Sequence, residues 1–201
     1  LVGSEMCIRD SFGPINYEPG GATGVPAHPH CGFEAITYLL GGEVEHKDSW
    51  GGQAAIETGD IQWMTTGSGL IHSELVTDKF KNSGGVMQGL QIWVNLPQKH
   101  KKVKPWYQHI KKNDIPTIDE GNDVLIKVLV GKVKNISSAV QTYSPVSIFD
   151  VQFTNPSLLD LDIPKNQTVM VYVIDGELKF SDDNQIACLL YTSDAADEED
   201  S

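Results

Sequence analysis

The chain has 201 residues, 40% of them hydrophobic, and a formal net charge of −12. That length can bury a substantial core in one large or two small domains. The acidic balance speaks against nonspecific attraction to nucleic acid or to an anionic membrane, and no apolar run reaches the roughly 18 residues of a spanning helix.

The charge is unevenly placed: Asp194, Asp197, Glu198, Glu199 and Asp200 crowd one end, and the rest of the chain carries −7. At the other end Leu1 to Ser11, with Glu5, Arg9 and Asp10, lacks the basic start and apolar stretch of a signal peptide. LVGSEMCIRDS, and later CLLYTSDAADE, are similar to translated sequencing-adapter read-through. Residues 1–11 and 188–201 are therefore expected to be non-native or disordered ends. The genuine polypeptide is expected to run from about Phe12 to Ala187. Cys7, Cys31 and Cys188 are too few and scattered for a disulfide framework and suit a reducing compartment.

Gly13-Pro14, Pro19-Gly20-Gly21, Gly24 and Pro26 make Phe12 to Pro26 read as a loop. It delivers His28-Pro29-His30-Cys31-Gly32-Phe33-Glu34. Phe33 to Leu40 is rich in β-branched and aromatic residues and reads as a strand, closed by a turn at Gly41-Gly42. Glu43 to Ser49 returns with His46 and Asp48 on one face. Turns at Trp50-Gly51-Gly52, Thr58-Gly59-Asp60 and Gly67-Ser68-Gly69 separate strands over Gln53 to Glu57, Ile61 to Thr65 and Leu70 to Glu74. Short strands about ten residues apart predict an all-β sandwich or barrel, and without a long helical pattern a parallel α/β fold is disfavoured.

Two pairs of ionisable residues stand out within this run. His28/His30 and His72/Glu74 each have i,i+2 spacing, which on a strand turns both side chains to one face. About 40 residues separate the pairs, enough to fold one over the other. A lone His-x-His carries little weight. A second same-face pair adds to it, because four such side chains in one core are costly unless a metal or hydrogen bonds satisfy them. Three imidazoles and a carboxylate would suit iron, manganese or zinc. His46 either supports that site or is a surface strand histidine paired with Asp48. Phe33, Trp63 and Met64 are either walls of an apolar pocket or plain core.

Beyond Glu74, Thr77 to Gly85 reads as a polar, flexible connection, and Val86 to Leu96 as a strand closed by Pro97. Gln98 to Lys104 is basic but bounded by prolines, and reads as a solvated linker. Val124 to Val130, Val146 to Phe153 and the alternating Leu159 to Ile163 are further strands, and Thr168 to Phe180 reads as a hairpin about Asp175-Gly176. No histidine follows His109, so this half is expected to be structural, with the domain boundary between Pro97 and Gly121.

HPHCGFEAITYLLGG, EHKDSWG, GDIQWMTTGSGLIHSE and GLQIWVNLP together resemble the pirin family of the cupin superfamily. The resemblance is long and ordered across Ala27 to Pro97, and weaker but collinear from Pro105 to Phe180. It implies a bicupin of two jelly-roll β-barrels, both incomplete here: residues 12–104 with a metal site and residues 105–187 without ligands. It implies Fe(II), or another divalent transition metal, held by His28, His30, His72 and Glu74. Generic cupins take their carboxylate from the first motif, where Glu34 stands in step with His28 and His30. Pirin-like proteins use the later one, so Glu74 is the expected ligand, and Glu34 a supporting or substitute group. Cys31 replaces the arginine usual in this motif, which removes a fixed cation beside the site.

The activity implied is dioxygenase cleavage of quercetin-like flavonols with O2, Glu74 doubling as general base. The alternative is an iron-dependent, redox-sensing transcriptional cofactor that binds protein partners without turnover. Either would act as a monomer in cytoplasm or nucleus, with no direct contact to nucleic acid.

Overall fold

The computed structural model describes residues 6–162, 169–179 and 185–187. Strands are the dominant regular structure of the described residues. In order come β1 (Met6–Tyr17), β2 (Gly24–His30), β3 (Phe33–Gly41), β4 (Glu43–Asp48), β5 (Gln53–Glu57), β6 (Ile61–Thr65) and β7 (Leu70–Val76). A one-and-a-half-turn helix α1 (Asp78–Ser83) leads to β8 (Gly85–Asn95) and β9 (Trp106–Ile110). Then follow β10 (Thr117–Gly121), β11 (Val124–Val130), β12 (Lys132–Val133), β13 (Ile136–Ser137) and β14 (Ile148–Phe153). Two compact units result, one extending from β1 to Asp160 and the other taking in the chain from Leu161 onward.

In the larger unit, β1-β8-β3-β6-β9 form one antiparallel sheet and β2-β7-β4-β5 a second. They make a two-layer jelly roll rather than a closed barrel. The four-stranded sheet is wet on one side: along β7, Leu70, His72 and Glu74 are buried while Ile71 and Leu75 are exposed. The five-stranded sheet is covered on both sides, which is why its central strands read as near-continuous apolar runs instead of alternating ones. Ala35 and Leu39 of β3 pack among buried residues of the jelly-roll interior, such as Met64, Leu70, Val44 and Ile56. Ile36 and Tyr38 join Ile61, Trp63, Ile92 and Val94 in a separate cluster with Ile115, Leu129, Val130 and Val140.

That second cluster explains why the expected division at residues 104/105 does not appear. β9 hydrogen-bonds to β6 and extends the first sheet past Pro105, and the segment carrying β10-β11-β14 shares its core with that sheet. The second half is a three-stranded sheet with a β12-β13 hairpin, incomplete as a jelly roll among the described residues.

Other expectations need correction. Phe12 to Tyr17 is strand, not loop: β1 is an edge strand, and its Gly13-Pro14 pair sits at a register shift between Phe12 and Ile15, where an edge tolerates proline. Met6 to Ser11, expected to be non-native or disordered, pairs with β8 as part of that strand, with a register shift between Ile8 and Asp10. Residues 1–5 and 188–201 lie outside the described residues. Thr77 to Gly85 holds a helix because Thr77 caps it, accepting a hydrogen bond from the Phe80 N–H at 3.2 Å. Leu159 to Asp162 and Val169 to Ile174 are not strand, whereas Glu177–Lys179 is. That short strand, β15, pairs instead with β16 (Gln185–Ala187). Val169, Met170, Val171 and Tyr172 are all exposed, so neither alternating face of this run is buried, as a strand would require.

One glycine shows how tightly the first sheet is fitted. A Cβ on Gly89 would run into the Phe12 ring. Gly89→Ala should therefore cost about 1–3 kcal/mol in urea unfolding, and most of that cost should vanish in the Phe12→Ala background.

Candidate metal centre

The cross-strand register assembles the site. β2 and β7 set His28 opposite His72, and β4 sets Asp48 opposite His72 and His46 opposite Glu74. All these side chains lie on the interior parity of the four-stranded sheet. The rings of His28 and His72 are 4.4 Å apart, those of His28 and His30 4.6 Å, and those of His30 and His72 5.0 Å. One nitrogen from each of the three falls within 4.8 Å of the others, a spacing at which they can share one ion.

The bonding state of the rings fits a cation. His28 Nδ1 donates to Pro26 O at 2.8 Å; a carbonyl cannot donate, so Nδ1 carries a hydrogen, and in the neutral ring it is Nε2 that offers a lone pair to a metal. His30 Nε2 and both ring nitrogens of His72 are buried without a hydrogen-bond partner. Burial, aided by the neighbouring His28, lowers the His30 pKa to about 4. Burial, with His28, His46 and His30 around it, lowers that of His72 to about 3. Both rings are thus neutral near pH 7, the form that binds metal. Unpartnered buried nitrogens are otherwise costly, so a bound cation is the reading that accounts for them.

Glu74 joins less directly. It is grouped with His72 and His46 rather than with all three imidazoles. Its Oε1 accepts from Gln62 Nε2 and from Thr37 Oγ1, the latter at 3.4 Å. Burial raises its pKa, against the opposing pull of Gln62, His28 and Thr37.

Glu34 is not part of the centre. The His28/His30 parity does not carry through to Glu34, because the strand breaks at Cys31-Gly32, where Gly32 takes a φ of +78°. Phe33 then faces the site, its ring 5.1 Å from His30 and 4.4 Å from Trp93. Glu34 points to the other side of the sheet, fully buried, where Trp63 Nε1 (3.0 Å) and Thr65 Oγ1 (2.8 Å) donate to its Oε1. Trp63 is accordingly not a wall of the site, whereas Met64 lies in the interior cluster with Ala35 and Leu70.

His46 is buried rather than on the surface, and it is bonded to Asp48 at 3.1 Å as its spacing allowed. It stacks on Tyr107 with ring centroids 4.2 Å apart and planes 11° from parallel. Burial lowers its pKa, partly offset by Asp48. Sequence reasoning missed Thr37, Gln62 and Tyr107. The signal available was Gln62 itself, an amide inside the apolar run Ile61–Thr65. Cys31 is exposed. It lies with His30, Gly69 and Ile71 on an open cleft of about 500 Å³. Lys101 reaches the turn after Cys31, bonded to Gly32 O at 2.8 Å and to Asn95 Oδ1.

A two-sheet jelly roll whose interior brings three imidazoles and a buried carboxylate together is the architecture of a cupin. Residues 3–94 match the family described as Pirin. It is 39% identical over 156 residues to Pirin-1 of Arabidopsis thaliana, covering 78% of this chain and 52% of that protein. It is 35% identical over 186 residues to Pirin of Rattus norvegicus, covering 92% of this chain and 62% of that protein. A crystal structure described as quercetin 2,3-dioxygenase from Acinetobacter baumannii superposes with a TM-score of 0.83 at 37% identity, covering 89% of this chain and 62% of that one. The chain thus spans between about half and just under two thirds of these relatives.

Proposed function

We propose that this chain carries the metal centre of a pirin-type iron dioxygenase that uses O2 on a small, electron-rich aromatic substrate of the flavonol class. The observation that carries this reading is the set of buried, unpartnered nitrogens on His30 and His72, grouped with His28 closely enough to share one ion. The solved relative described as a quercetin 2,3-dioxygenase supports the substrate class. His28, His30 and His72 would hold Fe(II), with Glu74 as the carboxylate. The ion supplies Lewis acidity and redox chemistry toward oxygen.

The chain's own residues do the rest. Burial raises the pKa of Glu74, which suits it to take a proton from a substrate hydroxyl and hold it. Phe33 and Trp93, 4.4 Å apart beside His30, offer aromatic faces against which a planar substrate can align. The cleft at His30 and Cys31 gives a small molecule an approach.

A second reading, a cofactor whose metal state changes the surface offered to a protein partner, draws on the outer faces of the ligand strands. Val25, Ile71 and Leu75 are about half exposed there, at 48%, 53% and 45%. Oxygen consumption separates the two. After anaerobic loading with Fe(II), quercetin should trigger uptake that is lost in His28→Ala. A metal-loaded protein that consumes no oxygen with any flavonol would instead favour the binding role. Uptake unchanged in His28→Ala would overturn the dioxygenase reading.

A further inference from the structure

We infer that Gln62 is a positioning residue that aims the carboxylate of Glu74 across the jelly roll, with Tyr107 setting which way its amide points. The inference rests on the metal-centre reading above. Thr37, Gln62 and Tyr107 lie on β3, β6 and β9 of the five-stranded sheet, while Glu74 lies on β7 of the facing one. Thr37 and Gln62 are register partners. Gln62, Thr37 and Glu74 are buried at 2%, 3% and 9% exposure, so water does little to hold them.

The chain of bonds has one direction. Tyr107 Oη donates to Gln62 Oε1 at 3.3 Å, which leaves Gln62 Nε2 to donate onward to Glu74 Oε1 and to Thr37 Oγ1, the latter at 3.0 Å. Thr37 then gives its own hydroxyl hydrogen to the same Glu74 oxygen. With the amide flipped, its carbonyl would face the carboxylate, and the phenol and the amide NH2 would be left donor to donor. Among the described residues both hydrogen bonds to Glu74 therefore fall on Oε1, and Oε2 would be left for an ion.

Tyr107 is itself fixed by the stack on His46, and His46 by Asp48. The order of these contacts gives Gln62 a purpose beyond satisfying a buried carboxylate. Supporting residues behind a metal ligand typically change affinity about 10–100-fold when removed.

The test uses Co(II), whose visible absorption reports the number and symmetry of its ligands, on the full chain and on Gln62→Leu, Tyr107→Phe and Glu74→Ala. Gln62→Leu should weaken Co(II) binding at least tenfold and change the visible bands. Tyr107→Phe should do the same to a smaller degree, and Gln62→Leu should add nothing in the Glu74→Ala background. If Gln62→Leu shifts only the thermal stability of the metal-free protein, with Co(II) affinity and spectrum unchanged, the inference is wrong while the metal centre stands. Should Gln62→Leu not fold, Tyr107→Phe decides by the same two readings. If the unaltered chain gives no Co(II) spectrum, the metal-centre reading fails and takes this inference with it.

Discussion

His72→Ala should abolish stoichiometric binding of Fe(II) or Co(II), a larger loss than removal of any other single ligand. His72 is the residue common to both groups able to hold an ion, the one with His28 and His30 and the one with His46 and Glu74. It is also the most buried of the three imidazoles in the first group, at 1% exposure, and neither ring nitrogen has a protein partner. Losing it removes the bridge between the histidine pair of β2 and the carboxylate of β7. The loss should exceed the roughly 10–100-fold expected for a supporting residue. The metal-free variant should nonetheless fold, and by comparison with the native apoprotein should lose little stability. Alanine costs packing, but it also removes two unsatisfied buried nitrogens. Metal analysis and a Co(II) titration, paired with a thermal melt of the apoprotein, read out the two effects separately. Binding in His72→Ala within tenfold of the native chain would place the ion elsewhere.

Much of this was legible in the sequence because the pairs His28/His30 and His72/Glu74 obey the two-residue period of strands, and the glycine turns around them are strong. That period misleads wherever it is carried across a break in the strand. Glu34 is in step with His30 by counting alone, but Gly32 interrupts the strand and reverses the parity, so the carboxylate lands on the opposite face. β9 escaped for a different reason. Trp106–Ile110 is a half-buried strand lying between prolines and a basic run, and only its hydrogen bonds to β6 reveal it. With β9 missed, Tyr107 could not be placed inside the jelly roll, nor could the expected domain boundary be seen to fall within a continuous sheet. Propensity describes one strand at a time. The partners of Gln62 come from three other strands, β3, β7 and β9, and no local pattern records them.

The largest effect on stability should come from Trp63, and its pH dependence should identify Glu34 as part of the cause. Trp63 is fully buried in the cluster that joins the five-stranded sheet to the second half, and it packs there with Ile36, Ile61, Val94 and Leu129. Trp63→Ala should cost about 3–5 kcal/mol from lost packing. Trp63→Phe keeps most of the ring volume but deletes the Nε1–H that donates to Glu34 at 3.0 Å. A buried carboxylate left short of a donor costs about 1–3 kcal/mol. Burial already raises the pKa of Glu34, and the Trp63 and Thr65 bonds hold it back; losing one of them raises it further. Between its ordinary value and the raised one, the folded protein keeps a proton that the unfolded chain releases. Stability from this group is therefore greatest below the ordinary carboxylate range and falls as pH rises through that window. The Trp63→Phe variant widens the window upward, so its deficit relative to the native chain should be small at a pH below that window and near its full value at a pH above it. Urea unfolding of the metal-free proteins at the two pH values measures the difference. An equal deficit at both would mean that Trp63 acts through packing alone. Glu34→Gln in the same background should flatten the pH dependence, since an amide at that position has no proton to hold.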